Sequence, residues 1–257
     1  MPRRKGYVAI GTPNKSLTGD FVLEDVHQYR VNRHTFTVYV GGDPSQLPND
    51  DIGEPGVEYS MADRFELNLS ILSGIDPARP ILVHLASCGG DWFSGMQMFG
   101  AILTCPNPVT VLATRWARSM TSIIPLAADR FAMRPPARYM IHDGYSAMSG
   151  TTKEFLTEAE ETRKISELMT RIYVARLKER AQHKNKTDEE VAAALRDMMD
   201  RKSDVWFSAD EAKRWGFVDQ VFDGNWSSLL VTSPNQARRK RMLAVLRKPI
   251  HVLSRIY

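Results

Sequence analysis

The stretch Val109–Phe131, VTVLATRWARSMTSIIPLAADRF, changes character at one residue. "VTVLAT" is apolar and β-branched, the composition of a buried strand, whereas the apolar run that opens at Ser119 reads as a helix. A serine at such a junction has two readings. It caps the helix, its hydroxyl accepting a backbone N–H two or three residues on. Alternatively it is a nucleophile, placed where free amides and the positive end of the helix dipole meet an oxyanion. Pro125 falls early in that helix and predicts that it is short or kinked.

Working outward, strands and helices alternate. On the N-terminal side, "TFTVYVGG" reads as a buried strand, followed by the loop "DPSQLPNDDIGEPG". A helix opens at Ser60, with Met61, Phe65, Leu69 and Leu72 on one face, Leu67 and Ile71 widening it and Gly74 ending it. "PILVHLAS" is the next strand, met at once by Gly89 and Gly90, and "GMQMFGAILT" is helical. Beyond Ser119 come the short strands "RFAM" and "RYMIH", then a long charged helix from about Lys153 to Gln182 with a narrow apolar stripe that needs a partner surface. Thr187 with Glu190 forms a capping box for one later helix, and Ser208 and Gly216 bound another. This alternation predicts an α/β fold with a parallel sheet, its chemistry at the carboxyl ends of the strands. Residues 1–34 carry only weak strand signals, around "DFVLEDV" and "HQYRV".

The composition of the 257 residues, 43% hydrophobic and 25% charged, is that of an ordinary globular protein with one main domain. No run approaches the roughly 18 apolar residues of a membrane span, and the opening "MPRRKGYVAIG" lacks the apolar centre of a secretory signal. A cytoplasmic protein is expected, with Cys88 and Cys105 as reduced thiols. Seven basic residues and no acid lie between Gly224 and Tyr257, so against a net charge of +4 the body is slightly acidic. The tail is read as a solvated or subunit-docking extension. The body has no basic pattern interleaved with aromatics, and no nucleic-acid partner is expected.

A nucleophile needs a base and an orienting carboxylate. His142 ends "RYMIH" at a strand's carboxyl end, near where Ser119 begins its helix, and a neutral imidazole there takes and returns a proton; taken alone it also reads as a structural histidine. Asp143 follows it directly, and neighbours on a strand point to opposite faces, which makes it a poor orienter. Asp204, in "DVWFSADEA", is better placed, or is a solvated loop carboxylate. Gly89 and Gly90 let the backbone approach a ligand, and their spacing from Gly95 is not a dinucleotide fingerprint.

Four motifs, in order, carry a family resemblance between Thr35 and Phe222. "LASCGG", "RSM", "YMIH" and "DVWFSADEAKRWGFVD" resemble the glycine pair, the nucleophile, the histidine strand and the aspartate segment of the Clp protease proteolytic subunit. The resemblance implies a Clp/crotonase-like fold of repeated β-β-α units with a protruding handle helix. It also implies a peptidase domain over 35–222, with the handle over about 150–200 and 223–257 as a basic extension. Ser119, His142 and Asp204 become the expected catalytic triad, with Gly90 and Met120 as amide donors to the oxyanion. The same resemblance implies serine endopeptidase activity on polypeptides with no metal or cofactor. It further implies a homo-oligomer of heptamer-like, possibly stacked rings around a chamber, and an ATP-dependent AAA+ unfoldase as partner. A phage-type head-maturation protease, a non-catalytic ring or assembly subunit and a crotonase-type acyl-CoA enzyme are the alternatives. The chain departs from the family at Cys88, where proline is usual, and at Arg115, Trp116 and Arg118, bulky residues ahead of the nucleophile. The insertion around "RAQHKNKTDEE" and the loop "PSQLPNDDIGEPG" are also longer than the family's.

Overall fold

A central ten-residue strand organises the molecule. In a computed structural model, which describes residues 19–41, 56–145, 147 and 149–250, β4 (Val109–Arg118) pairs on one side with β3 (Ile81–Ser87). On its other side it pairs first with β5 (Arg130–Met133), then with β6 (Arg138–Ile141), all in parallel. Parallel pairing continues outward to β2 (Thr37–Gly41) beyond β3 and to β8 (Gln220–Val221) beyond β5. Antiparallel β1 (Val31–Asn32) and β7 (Val205–Ser208) join β2 and β6. The mostly parallel sheet is the α/β architecture that the alternation predicts.

The strands are apolar on both faces because both faces are covered. Ile81, Val83 and Leu85 of β3 and Val109, Val111 and Ala113 of β4 enter the main core. There they meet α2 (Tyr59–Ile75), α3 (Trp92–Thr104) and the buried half of α5 (Thr152–Leu177). Leu82, Leu112 and Ala132 point the other way and pack with Phe222 and Leu229. The insertion forms α6 (Ala181–Lys184) and the start of α7 (Asp188–Arg201), whose expected capping box between Thr187 and Glu190 is present. Ser208 likewise caps α8 (Ala209–Trp215), and Gly216 ends it in the left-handed conformation.

Several elements differ from expectation. Gly19–Gln28, read as a weak strand, is a helix, α1. Leu67 and Ile71 do not widen the buried face of α2; they are 60% and 41% exposed, and the helix runs through Gly74 to Ile75. The loop over 42–55 lies outside the described residues. The basic tail is not wholly solvated: Gln236–Arg247 forms α9, which buries Arg238, Arg239 and Met242 and leaves Lys240, Arg241 and Arg247 exposed. Arg239 is buried against Asp129 at 2.6 Å and donates to the carbonyl of Asn107 at 2.8 Å and to that of Cys105. Arg238 is buried against Asp219 and Glu179, at 3.0 and 2.9 Å, and donates to the Ala128 carbonyl at 2.7 Å.

Asp219 is the hub of this second group. It also faces buried Arg176 at 2.9 Å and accepts from Phe131 N at 2.7 Å, tying α5 and α9 to the end of β5. Burial alone would raise its carboxyl, but the Arg176 and Arg238 guanidiniums outweigh that and hold it well below the ordinary carboxylate value. Removing one partner of a buried pair strands the others, so Asp219→Ala is expected to lower the unfolding free energy by about 3–5 kcal/mol. Because the folded value is depressed, Asp219's contribution is present above its unfolded value of 3.8 and fades as pH falls below it. Urea unfolding of wild type and variant near neutrality and near pH 3 measures both effects. A loss under about 1 kcal/mol at neutral pH would reduce the network to surface-pair strength.

Candidate active site

Strand register assembles the site. β4 and β6 run parallel with Arg118 opposite Met140, so Ser119 and His142 emerge side by side from their carboxyl ends. β7 runs antiparallel to β6 with Val205 opposite Ile141, and continuing that register by one residue sets Asp204 opposite His142. Three residues far apart in sequence therefore meet at one corner of the sheet. Ser119 Oγ lies 2.7 Å from His142 Nε2, and His142 Nδ1 lies 3.6 Å from Asp204 Oδ1. The first distance is a hydrogen bond; the second is ion-pair reach only, and Asp204 is 45% exposed.

The capping reading of Ser119 fails on geometry. Its hydroxyl makes no cap bond to α4 (Met120–Ile123), a single turn that passes into a 3-10 turn at Pro125. So short a helix has little macrodipole, and its free amides, not its dipole, are what an oxyanion would meet. Ser119 itself is held at φ 54°, ψ −127°, outside the favoured regions for a residue with a side chain. Such a conformation costs about 1–3 kcal/mol and needs its surroundings to impose it. Ser119 N donates to the Met140 carbonyl at 3.1 Å, and Ser122 N and Oγ both donate to the Ser119 carbonyl, at 2.8 and 2.6 Å.

Gly89 and Gly90 serve this corner by letting the chain approach itself. A Cβ on Gly89 would lie 2.5 Å from Ser119 Cβ, and one on Gly90 would lie 2.3 Å from the Val57 carbonyl oxygen. Their φ angles of +100° and +145° suit glycine alone. Val57 N donates to Gly89 O and Asp91 N to Val57 O, so neither bond uses Gly90 N–H. Met120 N, the first amide of α4, has no acceptor within its helix.

These groups line a cleft of about 500 Å³ walled on the far side by Glu158, Thr162, Ile165, Ser166 and Met169 of α5. Burial holds the His142 imidazole below its ordinary 6.5; Asp204 and Asp143 push it up, and Arg118 pushes it down. Asp143 turns away to accept from Ser166 Oγ at 2.6 Å, in line with its dismissal as orienter. Cys88 is buried at the cleft edge. Of the three bulky residues before Ser119, Arg118 alone lines the cleft; Arg115 stacks its guanidinium 4.8 Å from the centre of the Trp116 ring.

A model of the Clp protease family matches residues 52–225 of this sequence. The chain belongs to the Clp protease family. It is 30% identical over 175 residues to the ATP-dependent Clp protease proteolytic subunit of Deinococcus radiodurans, a match covering 67% of this chain and 78% of that one. To the corresponding subunit of Hordeum vulgare it is 37% identical over 159 residues, covering 60% and 66%. Among solved structures, a ClpP1 mutant from Listeria monocytogenes shares the fold, with a TM-score of 0.56 at 23% identity over 75% of this chain and 94% of that one.

Within this Clp protease fold, two positioning residues have no signature in the sequence. Ser122 Oγ carries one proton and gives it to the Ser119 carbonyl, which only accepts. The Tyr173 hydroxyl, 2.6 Å away, must therefore donate to Ser122 Oγ. Burial pushes the Tyr173 phenol up and keeps it a donor. Tyr173, on α5, thus supports the strained backbone of Ser119 through Ser122. Tyr173→Phe and Ser122→Ala should each slow capture of a fluorophosphonate by Ser119 about tenfold, and the double variant no more than the worse single one. Additive losses would mean that Tyr173 acts by packing alone.

Proposed function

We propose that this Clp protease family member is a serine endopeptidase that hydrolyses polypeptides through Ser119, His142 and Asp204. The observation that carries the reading is the 2.7 Å contact between Ser119 Oγ and His142 Nε2, made by a serine whose hydroxyl does not cap its helix. In the proposed reaction, His142 takes the Ser119 proton as Oγ attacks a peptide carbonyl. The amides of Gly90 and Met120 receive the oxyanion, and His142 returns the proton to the leaving amine. A water deprotonated by the same imidazole then releases the acyl group from Ser119. Asp204 stabilises the imidazolium, and its present 3.6 Å separation is of a kind that closes when substrate is bound.

Assembly into rings around a chamber, fed by an ATP-dependent unfoldase, is the quaternary part of the proposal. Its support is apolar surface left uncovered on the single chain. Leu67, Ile71 and Ile75 repeat at four-residue spacing along α2, and Phe155 and Leu156 sit on the projecting first turns of α5. A contiguous stripe of this kind marks an interaction surface. No helix among the described residues is long and apolar enough to cross a membrane.

A fluorophosphonate probe read by mass spectrometry should place its adduct on Ser119, and Ser119→Ala should abolish it. The neutral imidazole is the proton acceptor, so the acid limb of the labelling rate should have its midpoint below 6.5. Asp204→Asn should slow labelling by about three to four orders of magnitude. It should also move that midpoint lower, because the carboxylate raises the imidazole, whereas Arg118→Gln should move it higher. Label retained on another residue in Ser119→Ala sinks the assignment. The ring proposal is checked by light scattering on the purified chain: many subunits are expected, and a lone 29.1 kDa species at micromolar concentration contradicts it.

A further inference from the structure

Among the described residues, Arg118 is the one cation lining the cleft, where the carboxylates are those of Asp91, Asp143 and Glu158. Two of these are engaged elsewhere: Asp91 accepts from Ser94 N and Oγ at 2.7 Å, and Asp143 accepts from Ser166. Among the described residues, no carboxylate comes within 4.0 Å of the Arg118 guanidinium, and its buried Nε has no hydrogen-bond partner. Its neighbour is the Trp206 ring, whose centre lies 5.8 Å from the guanidinium carbon. The contrast within the chain is sharp. Arg176, Arg238 and Arg239, the buried arginines among the described residues, each face a carboxylate at 3.0 Å or less. The Arg118 side chain is only part-buried, but a buried N–H without a partner is unfavourable, and a carboxylate brought to the guanidinium pairs its charge. At that distance the contact with Trp206 is within cation–π reach and uses no N–H of the guanidinium.

We propose that Arg118 selects an acidic side chain of the polypeptide beside the scissile bond, so that the cleft favours Asp- or Glu-bearing segments. The inference rests on the peptidase reading and names its substrate class. Arg118 directly precedes Ser119 and faces His142, which puts the bound carboxylate within a residue or two of the reacting carbonyl. The three cleft carboxylates repel a general acidic chain, so the preference is local to the position that reaches Arg118 and does not extend to acidic substrates as a class.

The test uses peptides blocked at both ends, which confines the negative charge to a side chain. Matched Glu and Gln versions differ at one position at a time, on either side of the cleaved bond. For the wild type, Glu should exceed Gln in kcat/KM by about tenfold or more at one of these positions. That ratio should fall to near one in Arg118→Gln, recover in part in Arg118→Lys and invert in favour of a Lys-bearing peptide in Arg118→Glu. The inversion is a readout that mere damage to the cleft cannot produce. A wild-type ratio near one at every flanking position, or a ratio unchanged in Arg118→Gln, overturns the inference. Fluorophosphonate labelling of Ser119 separates the two failures: label without carboxylate preference removes this inference alone, and no label removes the peptidase reading with it.

Discussion

The pairing register of β4, β6 and β7 is the constraint on which the rest of the structure depends. In parallel β4 and β6, Arg118 stands beside Met140; in antiparallel β6 and β7, Ile141 stands beside Val205. A slip of one residue at either seam would turn every side chain of the slipped strand to the opposite face. His142 would then leave Ser119, or Asp204 would leave His142. The register is secured by burial: Tyr139, Met140, Ile141, Val205 and Phe207 are all buried, and Tyr139 packs against Phe207 and Phe217 while its hydroxyl donates to the Ser122 carbonyl. The core that stabilises the fold and the seam that positions the chemistry are made of the same residues.

Around this corner the chain imposes a backbone conformation that Ser119 would not adopt alone. Gly89 gives way to its Cβ, the Met140 carbonyl holds its amide, and Ser122 holds its carbonyl with Tyr173 behind it. Tyr173 and Ser166 both lie on α5, so one helix supports the serine from one side and the loop after His142 from the other. The same helix carries Arg176, which joins Asp219 and Arg238 in the buried ion cluster. Its position is therefore set from the core side by charge and from the cleft side by hydroxyls. Arg118, at the mouth of this corner, has no such carboxylate among the described residues.

Much of this was legible in the sequence where the signal is local. The strand "VTVLAT", the serine after it, the strand ending at His142, the capping box at Thr187 and the cap at Ser208 all announce themselves by residue type over a few positions. Asp204 was harder: only the family-like segment around it, not its own surroundings, distinguished it from a solvated loop acid. Features made by distant partners stayed hidden. Arg238 and Arg239 look like part of a solvated basic run, because Asp129 and Asp219 are not their sequence neighbours. Ser122 and Tyr173 are 51 residues apart, and neither hydroxyl belongs to a periodic pattern. Leu67 and Ile71 fit a widened helix face as well as an exposed stripe, and hydrophobic periodicity cannot tell an intrachain core from an interchain one.

An experimental structure of the purified particle, with an organophosphorus inhibitor bound, measures the central claim directly. The account predicts phosphorus on Ser119 Oγ and His142 Nε2 on the same side of the sheet corner. It predicts the Asp204 carboxylate at hydrogen-bond distance from Nδ1, with Arg118 still opposite Met140 and Val205 opposite Ile141. An adduct on any other residue, or strands paired in another register with these three side chains apart, would contradict it.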